Sequence, residues 1–148
     1  MRMRQLSIRN CFWFLLPILL WNLILSPFLA IGEHFPGEAP NWILIQENLL
    51  RILVFGFPLF MIIRERGFFL RLGISLYLFG LLLYFGSWLV IMNLPDAPSA
   101  SLFGLLAPAY TPIIWLVGIA LIGRSWFYGI ISSVFVLFHL GEYILRFP

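Results

Sequence analysis

Gln46, Glu47, Asn48 and Arg51 lie inside the stretch Asn41–Ile63, NWILIQENLLRILVFGFPLFMII, which is otherwise apolar enough to cross a bilayer. Glu47 and Arg51 are four residues apart and share one helix face, where a carboxylate and a guanidinium can pair. On insertion scales each such charge costs roughly 2.5 to 3.5 kcal/mol at mid-bilayer, so residues of this kind face a bundle interior or a wet cavity and find partners there.

A second polar group closes the chain. His139, Glu142 and Tyr143 continue a stripe that begins at Ser132, at offsets of seven, three and four. His139 with Glu142 and Glu47 contains the donor types of a histidine–carboxylate metal site. One histidine beside one glutamate at a helix end is more commonly an interfacial hydrogen-bonding feature, and we assign neither a metal nor another cofactor. For acid–base chemistry Glu47 and His139 would be the titrating pair, Arg51 an anion clamp, and Tyr84 or Tyr110 a hydrogen-bond donor. The chain contains no serine elbow, HExxH, glycine-rich phosphate loop or aspartate pair to fix such roles, so no catalytic residue is assigned. Cys11 is the single cysteine, which excludes an internal disulfide, a CxxC pair and a thiolate cluster within one chain.

The composition says what must carry these groups. Of 148 residues 62% are hydrophobic and only 10% charged, against about 25% charged in a soluble domain. This is a membrane-protein composition in a chain short enough for one domain, 1–148, with no room for a separate soluble catalytic unit. The net charge of +3 sets nine arginines and no lysines against six acidic residues, and apart from Arg51 the arginines are scattered through short loops and ends. They read as topology signals and not as a nucleic-acid face.

Five apolar runs are long enough to span: about 11–31, 41–63, 70–93, 102–123 and 126–145. The first follows Arg2, Arg4 and Arg9 and exceeds the 7–15 residues typical of a signal-peptide core, so it reads as a retained helix. Gly32–Pro40 and Leu94–Ser101 read as loops by their glycine and proline content. Leu102–Leu145 is about twice the length of one crossing, and a tight turn at Gly123–Ser125 divides it. A four-span alternative needs a re-entrant segment near Pro108 and Pro112. With five spans, Arg2, Arg4, Arg9, Arg64, Arg66, Arg71 and Arg124 fall on one side, while Glu33, Glu38 and Asp96 fall on the other. The positive-inside rule then puts the N-terminus in the cytoplasm and the C-terminus outside. The expected architecture is all-α, a five-transmembrane-helix bundle in the plasma or inner membrane of a prokaryote.

That orientation puts polar residues of every span at similar depth in the outer half: Asn22 and Ser26; Glu47, Asn48 and Arg51; Tyr84, Ser87, Trp88 and Asn93; Tyr110 and Thr111; His139, Glu142 and Tyr143. Tyr77, Tyr84, Ser87 and Trp88 share a stripe with Gly73 and Gly80, whose missing side chains let a neighbouring helix come close. Ala100-xxx-Gly104 and Gly129-xxx-Ser133 are further small-residue pairs. Pro17, Pro58 and Pro112 each remove a backbone donor inside a span. The expected site is an outward-facing pocket in which Arg51 neutralises a polar or anionic head group and Tyr84, Trp88 and Tyr110 hold its apolar part, with Glu47, Asn48, Ser87, His139, Glu142 and Tyr143 completing the wall. Its ligand is a membrane lipid or another amphipathic, lipid-like or isoprenoid-like small molecule. Two other readings compete: an assembly role, in a homo-oligomer or beside a partner membrane subunit, where the polar network only packs helices, and an intramembrane enzyme acting on a lipid through Glu47 and His139.

Overall fold

The computed structural model describes residues 9–25, 37–63, 67–93 and 102–146. The end of the first apolar run, Ser26, most of the first loop with Glu33 and His34, Arg64 and Arg66, and the 94–101 loop lie outside the described residues, as does the side chain of Asn93. The described residues are almost wholly helical. In chain order we label α1 Cys11–Leu25, α2 Asn41–Leu59, α3 Phe68–Asn93, α4 Leu102–Leu105, α5 Ala107–Tyr110, α6 Pro112–Gly123 and α7 Trp126–Arg146. Three of them, α2, α3 and α7, are long and apolar enough to cross a membrane, and Cys11–Leu25 and Ala107–Gly123 are shorter apolar helical stretches. Large apolar side chains face outward along them, among them Leu23, Ile52, Leu82 and Leu137, each at least two-thirds exposed.

Proline placement explains most irregularities. α1 starts as a 3₁₀ turn, Cys11–Leu15, and becomes α-helical at Leu16, beside Pro17. The Phe14 carbonyl, which a 3₁₀ pattern would pair with the amide that Pro17 lacks, accepts instead from the Tyr77 hydroxyl of α3 at 2.7 Å. In α2, Pro58 has no N–H for the carbonyl of Val54, four residues earlier. The Tyr128 hydroxyl of α7 donates to that carbonyl at 3.2 Å, in a fully buried position. Pro108 and Pro112 break the expected 102–123 run into α4, α5 and α6, with turns at Leu106 and Thr111. The hydroxyl of Thr111 bonds back to the Ala107 carbonyl at 2.7 Å.

The second run ends earlier than the apolar pattern implies. After the 3₁₀ turn Phe57–Leu59 the chain leaves the helix, so 60–63 is not part of it. Asn10 Nδ2 donates to the Leu59 carbonyl at 2.8 Å, closing the end of α2. The Cys11 and Ile63 amides donate to Met61 and Arg9 carbonyls at 2.9 and 2.8 Å, so the start of α1 and the end of α2 meet in a short antiparallel bridge, Asn10 to Ile62.

The expected turn at Gly123–Ser125 is present. Arg124 takes the left-handed conformation (φ 50°), its amide donates to Leu121, and the Ser125 amide reaches back to Ala120 at 2.9 Å. This is a Schellman closure with arginine in the place glycine usually fills. It reverses the chain so that α7 packs on α6, while α3 covers α6 most extensively and α2 packs on α7.

The α3–α6 contact is made by absent side chains. A Cβ at Gly80 would lie 2.6 Å from the backbone nitrogen of Trp115, and one at Gly73 would lie 2.8 Å from the carbonyl oxygen of Gly118. Gly73, Tyr77, Gly80 and Tyr84 recur every three or four residues, so they form one face, and backbones approach where side chains are missing.

Candidate functional site

The face of α2 that turns inward carries Ile43, Glu47 and Val54. Glu47 is therefore sealed, at 2% exposure, in the contact with α7. Its carboxylate accepts from Arg51 one turn along the same helix, and His139 Nδ1 of α7 lies 3.0 Å from the same oxygen, Oε1. With the proton on Nδ1, the imidazole is the second donor to that carboxylate. His139 is held flat against Phe135, ring centres 5.5 Å apart, and edge-on to Tyr143 at 5.1 Å. Glu142, also buried, pairs with Arg146 at 2.6 Å. The two carboxylates and the imidazole come within 4.8 Å of one another. The three donor types could converge on one cation, although Oε1 of each carboxylate already accepts from an arginine.

Beside this network lies a cavity of about 350 Å³, walled by α1, α2, α3, α6 and α7. Asn22 comes from α1, Arg51 and Phe55 from α2, Tyr84 and Trp88 from α3, Pro112 and Trp115 from α6, and His139 and Tyr143 from α7. Arg51 remains 46% exposed although it is paired, so part of its five-donor fork is free for another acceptor. The Tyr84 hydroxyl donates to Asn22 Oδ1 at 2.6 Å, tying α3 to α1. The indole nitrogens of Trp88 and Trp115 are sealed from the surface; that of Trp88 is turned to the Tyr84 hydroxyl, and that of Trp115 has no hydrogen-bond partner among the described residues.

The residues expected at the site divide into three groups. Arg51, Tyr84, Trp88, His139 and Tyr143 line the cavity. Glu47 and Glu142 stand behind the wall in the network that holds His139 and Arg51. Asn48, Ser87 and Tyr110 are not brought to it. Asn48 follows Glu47 by one residue, about 100° around the helix, and is exposed. The Ser87 hydroxyl donates to the Tyr84 carbonyl of its own helix at 2.7 Å. Tyr110 lies outside the cavity lining, on the short helix before Pro112.

Trp115, Phe55 and Phe135 are wall residues that hydropathy and spacing do not single out. The available signal was that Trp115 interrupts an otherwise aliphatic run, Ile113–Ile122, opposite the glycine stripe of α3. Comparison with protein-family models, with curated proteins and with solved structures finds no match, so the reading of this site rests on its own geometry.

Proposed function

We propose that the chain is a five-span integral membrane protein that binds an amphiphile with an oxygen-rich, acidic head group in the cavity beside Arg51. One observation carries this reading: a cavity walled by five helices and lined largely by apolar and aromatic side chains carries the half-exposed guanidinium of Arg51. Asn22, Tyr84 and His139 share that wall with Arg51, and Trp88, Trp115, Phe55, Phe135 and Ile18 supply its aromatic and apolar part. A phosphate or carboxylate supplies the acceptors, and the attached hydrocarbon lies along the aromatic surface. A volume near 350 Å³ suits a head group and the first part of its chain, not a whole lipid.

The arginine distribution supports a cytoplasmic N-terminus, which places the cavity toward the outer surface. Single cysteines replacing Glu38 and Gly67 in a Cys11→Ser background then label from opposite sides of the membrane; labelling from one side contradicts the five-span arrangement.

The binding experiment compares a short isoprenyl phosphate with the matching alcohol, read as a thermal shift of purified protein. The phosphate stabilises wild type in a concentration-dependent way, since a ligand that binds only the folded state raises its stability by mass action. Arg51→Gln abolishes the shift while leaving the unliganded melting temperature within a few degrees. Equal shifts with phosphate and alcohol, or a shift that persists in Arg51→Gln, contradict the reading.

A helix-packing role for Glu47 itself has its own support, because the carboxylate is sealed among Arg51, His139 and Glu142. An acid–base reaction would reach a ligand through His139, which lines the cavity, and not through Glu47 directly.

A further inference from the structure

A second cavity, about 470 Å³, lies near the other end of α7, between α6 and α7. We infer that it is a groove for one acyl chain of an anionic phospholipid, whose phosphate pairs with Arg124. The inference does not rest on the Arg51 cavity, with which this groove shares no residue.

The groove is apolar along its length and charged at one end. Ala120 and Gly129 form its narrow floor, and Ile130, Val134 and Leu137 form an exposed apolar side. Its two serines are already used: Ser133 Oγ donates to the Gly129 carbonyl at 2.9 Å, and Ser125 Oγ accepts from the Tyr128 amide at 3.2 Å. Arg124 is the charged residue of the lining, and it makes no ion pair among the described residues. Its guanidinium stands 5.6 Å from the centre of the Phe69 ring and close to Gly67. Trp126, 79% exposed, flanks the same end, as aromatic residues do at a membrane interface.

The span matches a leaflet. Trp126 to Leu137 along a helix covers about 17 Å at 1.5 Å per residue. The hydrocarbon depth of one leaflet is about 15 Å, half of a 30 Å core. A single cation at one end of an apolar trough of that length complements a molecule with one negative end and one hydrocarbon chain, and the arginine-rich side is where anionic lipid attracts basic residues. A partner helix seated there would have to neutralise the Arg124 guanidinium.

The test uses vesicles of mixed phosphatidylglycerol and phosphatidylcholine in which one lipid or the other carries brominated chains. Quenching of Trp126 fluorescence, isolated by difference from Trp126→Phe, reports which chain occupies the groove. Brominated phosphatidylglycerol quenches Trp126 more than an equal fraction of brominated phosphatidylcholine. The preference falls about fivefold in Arg124→Gln, the effect of one surface cation on anionic lipid, and is unchanged in Arg51→Gln. A Gly129→Leu/Ser133→Leu protein that keeps its far-UV spectrum loses the preference; if that pair does not fold, Arg124→Gln decides alone. Equal quenching by the two lipids in wild type, a preference that survives Arg124→Gln, or quenching lost through dimer formation overturns the inference.

Discussion

The α3–α6 and α2–α7 contacts solve one problem by opposite means. Within a bilayer, burying one apolar helix against another gains little, because lipid is as apolar as the helix it leaves. The α3–α6 pair gains by close backbone approach at Gly73, Gly80 and Gly118. The α2–α7 pair is joined by Glu47, His139 and the Tyr128 hydroxyl on Val54. Close approach leaves no space, whereas charged groups keep larger side chains apart. The cavity lies where the polar contact meets α1, and Tyr84, Trp88, Pro112 and Trp115 of the close-packed pair complete its wall.

The largest expected effect is on the close-packed side. Gly80→Leu places a branched side chain against the Trp115 backbone, which cannot move as a rotamer does. We expect about 3 kcal/mol or more of destabilisation, seen as loss of a folded fraction in detergent. Gly86, on the same helix, meets nothing within 4 Å of a Cβ. Gly86→Ala is therefore neutral or stabilising by up to about 1 kcal/mol. If the two substitutions cost the same, close packing is not what joins α3 to α6.

Next comes the brace across the polar contact. Tyr128→Phe leaves the Val54 carbonyl, which Pro58 already deprives of its helical donor, without a partner, at a cost of about 1 to 3 kcal/mol. In a Pro58→Ala background the helix supplies the missing N–H, and the same substitution costs less. A double-mutant cycle by thermal unfolding measures the coupling; simple additivity would show that Tyr128 acts through packing alone.

The smallest effect belongs to Tyr84→Phe, which removes the bond to Asn22. Intramembrane hydrogen bonds average about 0.6 kcal/mol, so the melting temperature shifts slightly, while the wall between α1 and α3 loosens and the isoprenyl phosphate binds more weakly. A large loss of stability with unchanged binding would place Tyr84 among the structural braces instead.

Much of this was legible because hydropathy and spacing are local. The apolar runs, the turn at Gly123–Ser125, the Glu47–Arg51 pair, and the stripe from Gly73 through Tyr84 to Trp88 follow from offsets of three, four and seven along one helix. What was not legible depends on a second segment. That 60–63 leaves the helix follows from its pairing with residues 9–11. Tyr128 reads as a buried aromatic until Val54 is seen to lack a donor. Asn48 and Ser87 were included for their polarity; one points around the helix and the other bonds to its own backbone. Gly129-xxx-Ser133 reads as a helix contact, yet those residues line an open groove.

The central claim, that the Arg51 cavity holds an acidic-headed amphiphile, is tested most directly by native mass spectrometry of protein purified from its membrane. Wild type is expected to carry an adduct whose fragments include a phosphate or carboxylate head group, and Arg51→Gln, equally folded, is expected to lose it while Arg124→Gln keeps it. An adduct that remains in Arg51→Gln, or a wild-type protein that is adduct-free under conditions that preserve its fold, would contradict the claim.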